Sequence, residues 1–173
     1  VGSEMCIRDS TFTDKKILTR FAYRNTKVVA VGEMVKKNLI EYFGIPKDLI
    51  CVIHNAVKPF DGNTTQIEVL YKERIKGNVL IGNIGRLSEQ KGMVYFIEAA
   101  EITASAHPEA RFVIVGDGEE KEQLQKLVEI KGLRDKVLFM GYRNDIQNVM
   151  KQLDFVVLSS LWEGLPLTPI EAY

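Results

Sequence analysis

From residue 78 onward, short apolar segments alternate with longer segments whose apolar residues recur at helical spacing. Four strands are predicted: residues 78–84, 111–115, 136–140 and 155–158. Helices are predicted over residues 92–106, over 119–131 with a stop at Gly132, and over 145–153, and a last one begins near Pro166. Consecutive parallel strands need long crossover connections, and helices supply them. The alternation therefore predicts an α/β fold with a Rossmann-like parallel sheet.

The first sixty residues have a separate organisation. Strands are predicted over residues 27–31 and 49–54, with a helix over 33–43 that stops at Gly44. The loop-forming residues of the segment 58–77 favour a linker, so a domain boundary is predicted near residue 60. We expect a non-native or disordered segment at 1–10, the end of one domain and a crossing segment at 11–60, and a second domain at 61–173.

Composition and charge exclude several classes of protein. Apolar residues make up 46% and charged residues 27%, which is typical of soluble globular chains. The 23 basic and 23 acidic side chains cancel, which argues against nucleic acid as a partner. Cys6 and Cys51 are distant in sequence and fit a reducing cytosol better than a disulfide framework. We therefore expect a cytoplasmic protein.

Two carboxylates, Glu163 and Glu171, stand eight residues apart after the fourth predicted strand. Between them, Gly164 predicts a turn and Pro166 a helix start, which would bring backbone N–H groups to one spot. A site of this kind suits a ligand with both phosphate and hydroxyl groups, such as a nucleotide sugar. Two ordinary surface glutamates are the alternative.

The loop after the first predicted strand, residues 85–92, carries Arg86 and Lys91. Gly85 lets the chain turn sharply, and the two cations suit a phosphate. Ligands of open parallel sheets bind beyond the carboxyl ends of the strands, so we expect this cationic loop and the acidic corner at 163–171 to share one pocket. A solvated loop with two surface charges is the alternative.

Other motifs are less specific. Gly116 belongs to a G-x-G turn whose third glycine is replaced by Lys121, so a tight strand-to-helix turn is the simpler interpretation. A loop that lines a nucleotide pocket is the alternative. Tyr142 follows the third predicted strand and either lies near a nucleotide base or is exposed. Trp162 is predicted to lie either in the core or in the wall of the pocket, and the core is favoured.

The chain offers no pattern that predicts a metal site. His54 and His107 are isolated, and a structural role is favoured for both. No Asp-x-Asp pair occurs, so the usual carboxylate cradle for a metal-bound diphosphate is missing. We expect neither a metal nor a cofactor.

These motifs resemble those of the retaining glycosyltransferases of GT-B fold, specifically glycosyltransferase family 4, also called glycosyl transferases group 1. The likeness runs from about residue 27 to 173. Its segments occur in the family's order and spacing: the Gly85 loop through Lys91, the G-x-G turn at 115–118, the V-x-F-x-G strand at 137–141 and the E-x7-E pair, Glu163 and Glu171.

The resemblance implies a fold, a reaction and roles for matched residues. The chain would hold the tail of an N-terminal acceptor domain and an incomplete C-terminal donor domain. The reaction would move a sugar from a nucleoside-diphosphate sugar to an acceptor hydroxyl with retention. The catalytic residues would be Arg86 and Lys91, which stabilise the departing diphosphate, and Glu163, which contacts sugar hydroxyls. Donor binding would also involve Gly85, Gly116, Tyr142, Gly164, Leu165 and Glu171, the last of these at the ribose.

The resemblance also implies partners and leaves alternatives. A saccharide or lipid-linked acceptor, polysaccharide biosynthesis and peripheral membrane contact through regions outside this chain are expected. As a fragment, the chain is expected to have little or no turnover. Ala56 and Ser159 depart from the family, which commonly has Gly and Pro at these positions. A GT-B-like nucleotide-sugar epimerase and a non-catalytic nucleotide-binding module are the alternatives.

Overall fold

The computed structural model describes residues 27–57, 59 and 64–172, which belong to two compact units that divide between Ala56 and Val57. The division lies close to the boundary predicted at residue 60. The predicted segment 1–10 lies outside the described residues.

Over its described residues, from 27 onward, the first unit contains two strands and one α-helix. The elements are β1 (Val28–Ala30), α1 (Glu33–Glu41), a 3-10 turn (Lys47–Leu49) and β2 (Ile50–Val52). Strand β1 pairs in parallel with β2, and side chains from both strands and from α1 form a small core. The predicted strands and helix are confirmed, although each is shorter than its pattern indicated.

The second unit alternates helices with strands along its whole described length. Its elements are α2 (Glu68–Ile75), β3 (Val79–Ile84), a 3-10 turn (Glu89–Lys91), α3 (Met93–Ala106), β4 (Ala110–Val115), α4 (Lys121–Ile130), β5 (Val137–Gly141), α5 (Ile146–Met150), β6 (Phe155–Val156) and α6 (Leu167–Ala172). The four strands of this unit are the four that the sequence pattern predicts.

All four strands are parallel, in the order β5-β4-β3-β6. The predicted parallel sheet is therefore confirmed. Strand β3 lies in the interior of the sheet, with β4 on one side and β6 on the other. After β3 the chain adds β4 and β5 on one side of it and then β6 on the other side, so β3 is a topological switch point. Ligands of open α/β sheets bind at such a switch point.

Side chains of the strands alternate between two buried clusters. In β4, Phe112 and Ile114 pack with α3 and α4 on one face. Val113 and Val115 pack with α2 and α5 on the other face. Both faces are covered, as parallel sheets require, and this explains why the strand sequences are continuously apolar rather than alternating.

Glycine ends helix α4 as predicted. Gly132 has a φ of 65°, and its N–H donates to the carbonyl of Glu129. The N–H of Leu133 donates to the carbonyl of Val128, which completes the pair of bonds that satisfies the last helical carbonyls. Among the described residues, no helix is both long and apolar enough to cross a membrane.

The linker predicted over residues 58–77 is wrong for its second half, where α2 forms. This helix buries Leu70 but leaves Val69 and Tyr71 exposed, so its sequence shows little helical periodicity. Distant residues hold it instead. Ile67 N–H donates to the side chain of Gln152, and Arg74 donates to the Gln152 carbonyl. Contacts of this kind leave no local pattern in the sequence.

Leu70→Ala tests the packing of α2. Removing this fully buried side chain should lower the free energy of unfolding by about 2–5 kcal/mol, because it leaves a cavity against the sheet. Val69→Ala is the matched control, since the neighbouring side chain is exposed and should change stability by less than about 0.5 kcal/mol. Urea unfolding followed by circular dichroism measures both. Equal effects of the two variants would contradict the packing described here.

Candidate functional site

The candidate site lies where β3 and β6 end side by side. The segment after β6 runs against the loop after β3, and main-chain contacts join them. Leu161 N–H donates to the carbonyl of Gln90 at 2.8 Å. The Gln90 amide donates in return to the carbonyl of Trp162 at 3.1 Å. The two predicted motifs are therefore neighbours in the structure.

Lys91 and Glu163 form an ion pair at this junction. The Lys91 ammonium donates to Glu163 Oε1 at 2.6 Å, which is the short distance of a charge-assisted hydrogen bond. The side chains are only 22% and 18% exposed, so water screens this pair less than a surface pair. The structure thus brings together one residue from each motif that the sequence analysis singled out.

Arg86 has a different partner. Its Nε and Nη2 atoms donate to one carboxylate oxygen of Glu119, at 3.2 and 3.1 Å. Both side chains are well exposed, and ion pairs between exposed side chains contribute little to stability. The guanidinium can therefore exchange Glu119 for another anion at little cost. Sequence analysis missed Glu119, which follows β4 and has no motif of its own.

Acidic groups crowd the base of the Arg86 loop. Desolvation by burial raises the pKa of the Glu120 carboxyl, and the charges of Glu119 and Glu89 raise it further. The pKa of Glu119 is lowered instead, first by its own backbone N–H and then by Arg86. These carboxylates would repel an anionic ligand unless the cations of the loop, Arg86 and Lys91, lay nearer to the ligand.

The G-x-G turn after β4 packs backbone against backbone on the Arg86 loop. Leu87 N–H donates to the carbonyl of Asp117, and Glu120 N–H donates to the carbonyl of Leu87. Gly116 has a φ of 144°, and a Cβ there would collide with the carbonyl oxygen of Gly85. A Cβ at Gly118 would collide with the Leu87 carbonyl. The glycines thus permit the contact that holds the Arg86 loop.

Glu171 lies elsewhere, on α6. It lines a cavity of about 820 Å³ together with residues 65–67 and 143–148. Arg86, Lys91 and Glu163 are not among the residues that line this cavity. The lining of this cavity therefore includes the second glutamate of the E-x7-E pair but not the first.

A bidentate ion pair forms one wall of the Glu171 cavity. Arg143 Nε and Nη2 donate to the two carboxylate oxygens of Asp145 at 2.8 and 2.7 Å. The hydrogen bond from Arg143 is the main cause that lowers the pKa of Asp145 to about 2. Sequence analysis missed both residues, although an Arg two positions before an Asp at a helix start was a visible signal.

The remaining predicted residues have varied surroundings. Tyr142 is exposed at the end of β5. Gly164 and Leu165 lie just before α6, which begins next to Pro166 as predicted. The core prediction for Trp162 is wrong: this residue is only half-buried, because it lies in the loop beyond the sheet edge.

Within the described part of the chain, no group of three or more His, Cys, Asp or Glu side chains is placed to hold a metal ion.

Comparisons with known proteins place these features in context. The family model described as glycosyl transferases group 1 matches residues 68–173. The chain is 32% identical over 157 residues to an uncharacterized glycosyltransferase, MJ1059, of Methanocaldococcus jannaschii, covering 88% of this chain and 39% of that protein. It is 43% identical over 108 residues to the UDP-Gal:alpha-D-GlcNAc-diphosphoundecaprenol alpha-1,3-galactosyltransferase of Escherichia coli, covering 58% of this chain and 28% of that protein.

A solved structure shows the same architecture. The Anabaena protein Alr3699/HepE in complex with UDP-glucose superposes with a TM-score of 0.75 at 28% identity, covering 92% of this chain and 46% of that one. The chain spans less than half the length of these relatives.

Gly116→Ala tests the contact between the two loops. The added methyl group would displace the carbonyl of Gly85, and the backbone conformation would also disfavour it. Gly132→Ala is the matched control, because it shares a positive φ but meets nothing within 4 Å. We expect Gly116→Ala to lower the free energy of unfolding by roughly 1–3 kcal/mol more than the control in urea denaturation. Equal losses would show that the close approach is not needed.

The Arg143–Asp145 pair predicts a pH dependence. Since the folded-state pKa of Asp145 is lowered, the pair stabilises the fold above the ordinary aspartate pKa of about 3.9, and the stabilisation is lost as pH falls toward 2. Arg143→Ala should raise the pKa of Asp145 toward about 3.9, as measured by carboxyl ¹³C NMR titration. Arg134→Ala, at a distant surface ion pair, is the control and should leave that pKa in place.

Proposed function

The chain belongs to the glycosyl transferases group 1 family, and we propose that it binds the donor in the transfer of a sugar from a nucleoside-diphosphate sugar to an acceptor hydroxyl, with retention of configuration. The observation that carries the proposal is the Lys91–Glu163 ion pair at the switch point of the sheet. There, a cation suited to a diphosphate and a carboxylate suited to sugar hydroxyls lie side by side.

Lys91 supplies a fixed positive charge where negative charge develops. When the bond between the sugar carbon and the diphosphate oxygen breaks, the electron pair stays on the diphosphate. The ammonium group has three N–H donors and uses one for Glu163, so it can bind a phosphate oxygen without releasing the carboxylate. Glu163 thereby orients the lysine and keeps its second oxygen for a sugar hydroxyl.

Arg86 is the second cation of the proposed donor site. Its exposed pairing with Glu119 is weak, and a diphosphate offers more negative charge and more acceptor oxygens than one carboxylate. Donor binding would thus replace Glu119 as the partner of the guanidinium. Gly85 lets the main chain of this loop lie close to the ligand, and Gly116 holds the loop in place through its close contact with the Gly85 carbonyl.

The nucleoside would occupy the cavity beside Glu171. The Glu171 carboxylate can accept hydrogen bonds from ribose hydroxyls, and Tyr142 lies next to Arg143 at the same edge. The main chain at Gly164 and Leu165 connects this cavity to Glu163 and would contact the sugar and phosphates. The Anabaena relative binds UDP-glucose, so a uridine nucleotide is the first donor to test.

The acceptor, the transfer without a metal and the location in the cell are also proposals. A saccharide or lipid-linked acceptor agrees with the diphosphoundecaprenol substrate named for the Escherichia coli relative. Transfer without a metal follows if Arg86 and Lys91 neutralise the diphosphate themselves, and activity would then survive EDTA. The cytoplasmic location and peripheral membrane contact stay predictions.

Arg86→Ala tests the phosphate role. Loss of the guanidinium should weaken binding of UDP to the chain roughly ten- to hundredfold, because a charge-assisted hydrogen bond is lost. Isothermal titration calorimetry measures the affinity. Arg134→Ala is the matched control, since that arginine is 75% exposed in a surface ion pair and Arg86 is 71% exposed in another.

The outcomes separate the proposals. Equal affinities of the two variants would remove Arg86 from the donor site. The stereochemistry is tested on the native-length gene product, with the anomeric configuration of the product determined by NMR. An inverted anomer would overturn retention, and an epimerised UDP-sugar without transfer would favour the epimerase alternative.

A further inference from the structure

Asn83 is a polar residue inside the apolar sheet. It lies near the end of β3 with only 1% of its surface exposed, and it is the single polar side chain in the buried class among the residues that the structure describes. Its neighbours along the strand, Leu80 and Ile84, belong to the apolar core. A buried amide destabilises a fold unless it finds hydrogen-bond partners, so its contacts call for an explanation.

The Asn83 amide is the start of a short chain of hydrogen bonds. Asn83 Nδ2 donates to Ser159 Oγ at 2.8 Å. The Ser159 hydroxyl donates in turn to the main-chain carbonyl of Lys91 at 2.9 Å. The chain thus runs from the interior strand, through the segment after β6, to the loop that carries the cations.

Lys91 is consequently held at both ends by one segment. Ser159 holds its carbonyl, and Glu163, four residues further on, holds its ammonium. The next residue, Gly92, has a φ of 57°, and a Cβ there would collide with the carbonyl oxygen of Ser159. The loop and the segment therefore meet at Gly92 as well as at the Ser159 hydroxyl, which restricts the position of Lys91.

We propose that Asn83 and Ser159 are positioning residues that set the place of Lys91 relative to Glu163 and so adjust the affinity for a nucleoside diphosphate. Neither side chain would touch the ligand. Asn83 orients the hydroxyl by donating to one of its two lone pairs, and the O–H points at the Lys91 carbonyl. The inference rests on the proposed function, because it assigns the diphosphate to Lys91.

Variants at the two positions separate positioning from stability. Ser159→Ala leaves the buried amide without its acceptor and frees the Lys91 carbonyl, so both stability and affinity should fall. Asn83→Leu with Ser159→Ala removes both polar partners, and such paired replacements by apolar groups of similar shape are close to neutral for stability. The double variant should therefore regain thermal stability without regaining affinity.

The measurements are the Tm and the Kd for UDP in the 173-residue chain. We expect Ser159→Ala to lower the Tm by roughly 2–6 °C and to weaken UDP binding roughly five- to thirtyfold. The double variant should recover most of the Tm and keep the weakened Kd. Ser105→Ala is the matched control, because that hydroxyl also donates to a main-chain carbonyl, that of Glu101, but in helix α3. It should leave the Kd unchanged.

Each outcome has a definite meaning. If the double variant regains both the Tm and the Kd of the unmodified chain, Asn83 and Ser159 have only a structural role and the inference is overturned. It is likewise overturned if Arg86→Ala weakens UDP binding while Ser159→Ala binds as tightly as the Ser105→Ala control, and the proposed function then stands. Failure of the unmodified chain to bind UDP would remove the proposed function and this inference together.

Discussion

Strand β6 pairs in parallel with β3, and this pairing brings the two halves of the candidate site together. The loops that leave the carboxyl ends of these strands become neighbours although they are far apart in the chain. Lys91 and Glu163 can therefore form a partly buried ion pair across 72 residues of sequence. On separate surfaces the same charges would be well solvated and would contribute little.

Main-chain contacts hold this arrangement in place. Gly92, Gly116 and Gly118 each allow a carbonyl oxygen of a neighbouring segment to approach where a side chain would stand. Backbone atoms in such contacts have few alternative positions, so the segments that carry the charged side chains have little freedom to move. Electrostatic stabilisation of a developing charge depends on this kind of preorganisation. The hydrogen bonds from Asn83 through Ser159 to the Lys91 carbonyl connect these main-chain contacts to the interior of the sheet.

Much of the fold could be predicted from the sequence. The four strands of the second unit and the helices between them are confirmed, and so is the resemblance to part of a GT-B glycosyltransferase, by the family model and the likeness to the Anabaena protein. Helix α2 was missed because distant partners, not its own periodicity, stabilise it. Retention of configuration stays a prediction, since it depends on chemistry that a fold does not determine. Assignment to the numbered family 4 also stays a prediction, because the matching family model is described only as glycosyl transferases group 1.

The sequence by itself determined the parallel α/β class, the helix stop at Gly132 and the presence of a cationic loop and an acidic corner after two particular strands. These follow from patterns among residues close together in the chain. Only the tertiary structure decided that β6 lies next to β3, that Lys91 pairs with Glu163 while Arg86 pairs with Glu119, and that Glu171 borders the cavity beside Arg143 and Asp145. Strand order and side-chain partners depend on contacts between distant segments, and no local periodicity records which segments will meet.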